Sequence, residues 1–194
     1  MQQQSNAMRL WESSSIRLRT SVSRSFLGRD FSKPRLLNFL NALLEGERAI
    51  TDLKFLDKEQ PAIYDGDRSP IYDIICETES GEKIIVEMQN REHPNFKERM
   101  IYYASEAIVR QGEKGTGWNY DIKAVYMVAF TNFVLSGYNG RFRIDIGLTD
   151  LQKGELFTGK MRLICLQMPC FTKEADVRNP PHTRSLSGGY SKPQ

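Results

Sequence analysis

The stretch IYDIICETESGEKIIVEMQN, Ile71 to Asn90, decides the fold. Two apolar-rich runs flank a polar turn containing Gly81, the pattern of an antiparallel hairpin. Side chains alternate faces along a strand, so Ile85, Glu87 and Gln89 share one face of the second run. Ile71, Asp73 and Ile75 share a face of the first. The turn determines whether the two sets meet. A two-residue turn, Ser80-Gly81, would set Asp73 opposite Met88 and on the wrong face. A three-residue turn, Glu79-Ser80-Gly81, sets Asp73 opposite Glu87. That turn wants glycine in its last, left-handed position, where Gly81 stands, so it is the one adopted here.

Two carboxylates directly opposite each other have Cβ atoms ~5 Å apart. Unpaired they repel, and one is driven toward its protonated form. A divalent cation resolves the conflict, and Mg²⁺ needs only one or two carboxylates besides water and phosphate oxygens. The spacing alone is equally compatible with an exposed polar sheet face, or with one carboxylate paired to an arginine.

Outward from the hairpin, PRLLNFLNALLEG (34–46) carries Leu36, Leu37, Leu40, Leu43 and Leu44 at helical spacing, with Pro34 at the start and Gly46 at the end. ITDLKFLD, from Ile50, alternates as a strand, and 57–69 reads as a loop. HPNFKERMIYYASEAIVRQGEKG, from His93, predicts a helix with Asn95 and Glu98 as a capping box. Its buried stripe is Phe96, Met100, Tyr103, Ala104, Ala107 and Ile108. KAVYMVAFTNFVL (123–135) is apolar almost throughout and suits a central strand. RFRIDIGL and KMRLICLQM predict two late strands. The sum is one α/β domain with a mixed sheet over 33–172, flanked by 1–32 and 173–194, both expected to be disordered.

Composition excludes several classes. No run approaches the ~20 apolar residues of a membrane helix, and the first residues lack the apolar core of a secretion signal. Three cysteines without a CxxC pair argue against a disulfide framework or zinc site, so a reduced, cytoplasmic protein is expected. Residues 1–37 carry seven Lys/Arg against two Asp/Glu, and 172–194 four against two. With a net charge of +3, the stretch between is therefore −4. Bulk charge gives no argument for nucleic acid; local clustering would have to.

Four segments carry a resemblance: FLNALLEGERAITDLKFLDKEQ, RSPIYDIICETESGEKIIVEMQN, FKERMIYYASEAIVRQGEKG and LTDLQKGELFTGKMRLICLQMP. In wording and order they resemble the Rpn family of recombination-promoting nucleases, also described as PD-(D/E)XK nuclease family transposases, over about 36–176. The resemblance implies a restriction-endonuclease-like fold, a mixed sheet flanked by helices, and hydrolysis of DNA with Mg²⁺ or Mn²⁺. Asp73 matches the central acid and Glu87 its partner. Gln89 stands where the wider superfamily has lysine, so it can orient water but brings no charge. The Met88 carbonyl occupies the position that often completes the metal shell. Arg99 and Tyr103 form an RxxxY on the following helix that could face the site, with a surface Arg and a core Tyr as the plain alternative. DNA is the implied partner, with homo-oligomers as a further option. The other readings are a degraded relative that binds nucleic acid without cutting, and an unrelated α/β interaction module.

The ends depart from the family. It opens with a segment like NPKTDFGFKKLFG, whose Asp helps complete the site; here Ser15–Gly28 reads SIRLRTSVSRSFLG, without an acid. With suitable synonymous codons and a two-base shift, this segment becomes Asn-Pro-Leu-Thr-Asp-Phe-Gly-Phe-Lys-Lys-Phe. Ser185–Tyr190, shifted likewise, becomes Phe-Glu-Arg-Trp-Ile, against a family ending like FERWIY. Both ends are therefore read as translated out of the ancestral frame.

Overall fold

The computed structural model describes residues 33–45, 49–59, 71–113, 115 and 117–171. The terminal segments, the Gly46 helix stop and most of the 57–69 loop lie outside the described residues.

The described elements are α1 (Lys33–Leu43), β1 (Leu53–Phe55), β2 (Ile74–Thr78), β3 (Lys83–Gln89), α2 (Phe96–Val109), β4 (Val125–Thr131), β5 (Arg143–Thr149) and β6 (Leu156–Gln167), with a short 3₁₀ turn at Met168–Cys170. They form a mixed six-stranded sheet in the order β1-β2-β3-β4-β6-β5. β3, β4 and β6 run parallel, while β1, β2 and β5 are antiparallel to their neighbours. The expected element order is thus observed. The first strand is shorter than its alternating pattern suggested.

Each helix covers one sheet face because apolar side chains line both. Ile74, Cys76, Ile84, Val86, Tyr126, Val128, Ile164 and Leu166 meet Leu36, Leu40 and Leu43 of α1. Ile75, Ile85, Val125, Met127, Ala129, Leu163 and Cys165 meet Phe96, Met100, Ala104 and Ala107 of α2. β4 is the central strand expected of a run covered on both sides, and all its residues but Phe130 are buried. The predicted stripe of α2 holds, except that Tyr103 and Ile108 are only half-buried and Glu106 is buried in the same helix.

One local expectation fails. Asn95 is the N-cap residue of α2, yet its side chain makes no capping hydrogen bond. Its φ −106° and ψ 35° fall outside the extended region from which a cap oxygen reaches the first turn. The Phe96 N–H turns back to the His93 carbonyl, at 3.0 Å.

The hairpin register is the one a three-residue turn demands. Ile74 pairs with Val86, Ile75 with Ile85, Cys76 with Ile84 and Glu77 with Lys83. The Thr78 N–H donates to the Glu82 carbonyl and the Gly81 N–H to the Thr78 carbonyl, closing the loop over Glu79, Ser80 and Gly81. Gly81 has φ +85°. A Cβ there would sit 3.4 Å from Lys123 Cγ, an accommodating side-chain atom, so the cost of Gly81→Ala is mainly backbone. Left-handed backbone costs an alanine about 1–2 kcal/mol. Urea unfolding should show Gly81→Ala destabilised by about 1 kcal/mol with m unchanged; a loss below a few tenths would mean the turn does not fix the register.

Candidate active site

The site begins where the β2–β3 ladder stops. A continued ladder would exchange hydrogen bonds between Tyr72 and Met88. Instead the Tyr72 N–H donates to the Lys58 carbonyl at 3.0 Å. The Met88 N–H donates to Asp73 Oδ2 at 2.8 Å. The Asp73 N–H in turn donates to Glu87 Oε1 at 3.1 Å. Each carboxylate is therefore held by a backbone N–H from the opposite strand, and side-chain contacts take over from the ladder.

Two further donors converge on Glu87. Gln89 Nε2 and Arg99 Nη2 each reach Oε2, both at 3.3 Å. Arg99 comes from the first turn and a half of α2, and its guanidinium lies over the Tyr103 ring, 5.0 Å from the centroid. Tyr103 meets Tyr72 edge to face at 5.1 Å. The RxxxY spacing puts both residues on one helix flank, so Tyr103 supports the cation that faces the carboxylates.

The electrostatics are strained. The Glu87 side chain is 3% exposed, whereas Arg99 is 40% exposed. Burial, and then the nearby Asp73 charge, push the Glu87 carboxyl from 4.5 up to about 7, against the opposing hydrogen bond from the Asp73 N–H and the attraction of Arg99. A half-exposed guanidinium is screened by water and does not offset the burial of the carboxylate. With both acids ionised, the cluster of Asp73, Glu87 and Arg99 carries a net negative charge around a buried carboxylate.

That donor set fits a hard divalent cation: carboxylate oxygens, an excess of negative charge and a strand end opening to solvent. Met88 strengthens the fit. Its N–H points toward β2, so its carbonyl, which projects to the same edge of an extended strand, has lost Tyr72 as a donor. Among the described residues no cluster of three or more His, Cys, Asp or Glu side chains surrounds the site. All six residues singled out from the sequence, Asp73, Glu87, Met88, Gln89, Arg99 and Tyr103, lie in this one cluster.

Sequence reading missed what lies behind it. Tyr72 is 1% exposed, and among the described residues its hydroxyl has no hydrogen-bond partner. Burial, followed by the Glu106 charge, raises its pKa. Glu106 is 6% exposed and pairs with Arg110 at 2.5 Å through one oxygen, while its other oxygen has no hydrogen-bond partner among the described residues. The signal was present: Arg99, Tyr103, Glu106 and Arg110 recur at three- and four-residue steps, the spacing of one helix flank.

The description "PD-(D/E)XK nuclease family transposase" matches residues 22–181, most of the chain. The chain belongs to this family. The sheet described above, mixed and helix-flanked, is consistent with its restriction-endonuclease-like fold. The matched span ends before Ser185, and its start falls inside Ser15–Gly28. No curated protein and no solved structure matches the chain. Membership supports a nuclease- or transposase-like activity on DNA, and divalent metals are general among PD-(D/E)XK nucleases. No described helix is long and apolar enough to cross a membrane.

Proposed function

We propose that the chain is a metal-dependent DNA endonuclease of the Rpn type. The observation that carries this reading is the reciprocal clasp. Asp73 and Glu87 are each fixed by a backbone N–H of the other's strand, at the edge where the ladder opens. Asp73, Glu87 and the Met88 carbonyl would hold Mg²⁺ or Mn²⁺. Such an ion supplies a water of lowered pKa and neutralises charge building on the phosphate. Gln89 orients the attacking water, because its amide can both donate and accept. Arg99 supplies the positive charge absent at position 89, and its half-exposed guanidinium, which reaches Glu87 through Nη2, has further N–H donors for a phosphate oxygen.

The test is nicking of supercoiled plasmid with Mg²⁺ or Mn²⁺. Asp73→Asn keeps an acceptor for the Met88 N–H and removes one charge, so activity should fall by at least about a hundred-fold, the order lost when one key electrostatic contact goes. Cleavage that survives this change would remove Asp73 from the site.

A second reading, a relative that binds DNA without cutting it, has one observation in its favour. Only two acids meet among the described residues, and the family's upstream acid has no counterpart between Ser13 and Gly28. Binding without nicking would select it. The out-of-frame reading of both ends belongs with it. The coding DNA must spell the shifted segments, and if it does not, the idea is gone.

A further inference from the structure

A second cluster sits on the same edge of the sheet. β3, β4 and β6 are parallel, so Gln89, Thr131 and Gln167 end side by side. The loop leaving β4 is bound to that edge at several points. The Asn132 N–H donates to the Gln89 carbonyl at 2.9 Å, and its side-chain amide to Asn90 Oδ1 at 3.0 Å. Gln167, fully buried, accepts the Leu135 N–H at 2.5 Å and donates to the Tyr138 and Arg141 carbonyls at 2.9 and 2.6 Å. Gly137 and Gly140, at φ +86° and +74°, turn the chain on either side of Tyr138. Tyr138 and Arg141 are therefore carried on a braced loop.

Two cations converge there. Lys97 Nζ, from the first turn of α2, lies 5.6 Å from the Tyr138 ring centroid, and Arg141 Cζ lies 5.9 Å from it. Both cations are exposed and the ring is half-buried. Neither cation has a carboxylate within ion-pair distance among the described residues. The middle of the chain is acidic overall, at −4, yet here two cations share one ring. Like charges held together without a counter-ion favour an anion between them. The Gln167 end of β6, to which this loop is tied, is about two strand spacings, ~10 Å, from the end of β3.

We propose that Lys97 and Arg141, propped by Tyr138, form a seat for backbone phosphates of the DNA strand whose scissile bond lies at Asp73 and Glu87. The inference rests on the endonuclease reading and names a strand contact outside its reaction centre. The seat binds phosphate and sugar only, so it fixes the direction in which the strand crosses the sheet edge and carries no base preference.

Fluorescence anisotropy of a labelled oligonucleotide, in EDTA and over a series of salt concentrations, tests it. Each neutralised phosphate contributes about 0.9 to the slope of log affinity against log salt on duplex, or about 0.7 on single strands. Lys97→Ala with Arg141→Ala should therefore lower the slope by about 1.4 to 1.8. The charge-preserving pair, Lys97→Arg with Arg141→Lys, should restore it. Both positions are exposed, and unchanged thermal unfolding of the variants confirms that folding is intact. DNA binding with the slope unaltered by the alanine pair overturns the seat and leaves the endonuclease reading standing. Failure of the unsubstituted chain to bind DNA in EDTA and also with Ca²⁺ in its place overturns both.

Discussion

Glu87→Gln should abolish plasmid nicking and, at pH 8 without metal, should stabilise the chain. The two effects share a cause. Glu87 is nearly fully buried beside Asp73, and its carboxyl is pushed up to about 7. At pH 8 the fold must keep that group charged, at a cost of roughly 3 kcal/mol for a shift of this size. Glutamine removes the charge and keeps an acceptor for the Asp73 N–H. It gives up part of what Arg99 and Gln89 reach, so the net gain should be about 1–2 kcal/mol.

The pH dependence has a definite sign. The folded pKa of Glu87 lies above its unfolded value, so the native state holds the extra proton between them. Stability from this group is complete below about 4.5, falls as pH rises toward 7, and is lowest above it. Glu87→Gln should flatten that segment of the stability–pH curve. The other charges facing Glu87 are Asp73 and Arg99, present in both proteins, so the difference isolates position 87. Mg²⁺ acts the other way: at a hundred times its dissociation constant it should raise the stability of the unsubstituted chain by about 2.7 kcal/mol. The glutamine variant should lose most of this response. Urea melts at pH 5 and 8, with and without Mg²⁺, give all four quantities. A metal-free Glu87→Gln protein less stable than its parent at pH 8 would mean that the Arg99 pair outweighs burial.

Arg143→Ala should unfold the chain more easily than any other single change named here. Arg143 points inward from β5, with its side chain 6% exposed. Nη1 donates to the Leu43 carbonyl at 2.8 Å, closing the end of α1, while Nε and Nη2 fork Asp145 at 2.7 and 2.8 Å. Arg162 also reaches Asp145, at 2.9 Å. One guanidinium therefore ties the first helix to the far edge strand. Alanine takes the donor from a helix-end carbonyl and the forked bonds from Asp145, which keeps Arg162, a loss of about 3 kcal/mol. In a domain of this size that is a drop of roughly 10 °C in Tm. Arg143→Lys should not rescue it, because a single ammonium cannot meet the carbonyl and the forked carboxylate together. A loss within about 1 kcal/mol would show that α1 is held by its leucines alone.

The elements and the two carboxylates were legible because their causes are local. Period and composition marked α1, α2 and the central strand. Gly81 marked the turn length, and turn length sets register. Asn95 misled because a capping box is a pattern of residue types, while capping depends on a backbone angle. Arg143 and Gln167 were not singled out, since burial of a polar side chain is not written in its neighbours in sequence.

The chain of residues by itself determined the hairpin, its three-residue turn and the placing of Asp73 against Glu87, because alternation and a left-handed glycine act over a few bonds. The tertiary structure alone decided what surrounds them. It brought Arg99 to Glu87, set Lys97 and Arg141 on Tyr138, and joined Arg143 to the Leu43 carbonyl a hundred residues away. Those contacts depend on how helices pack on the sheet, and packing is a property of the whole core.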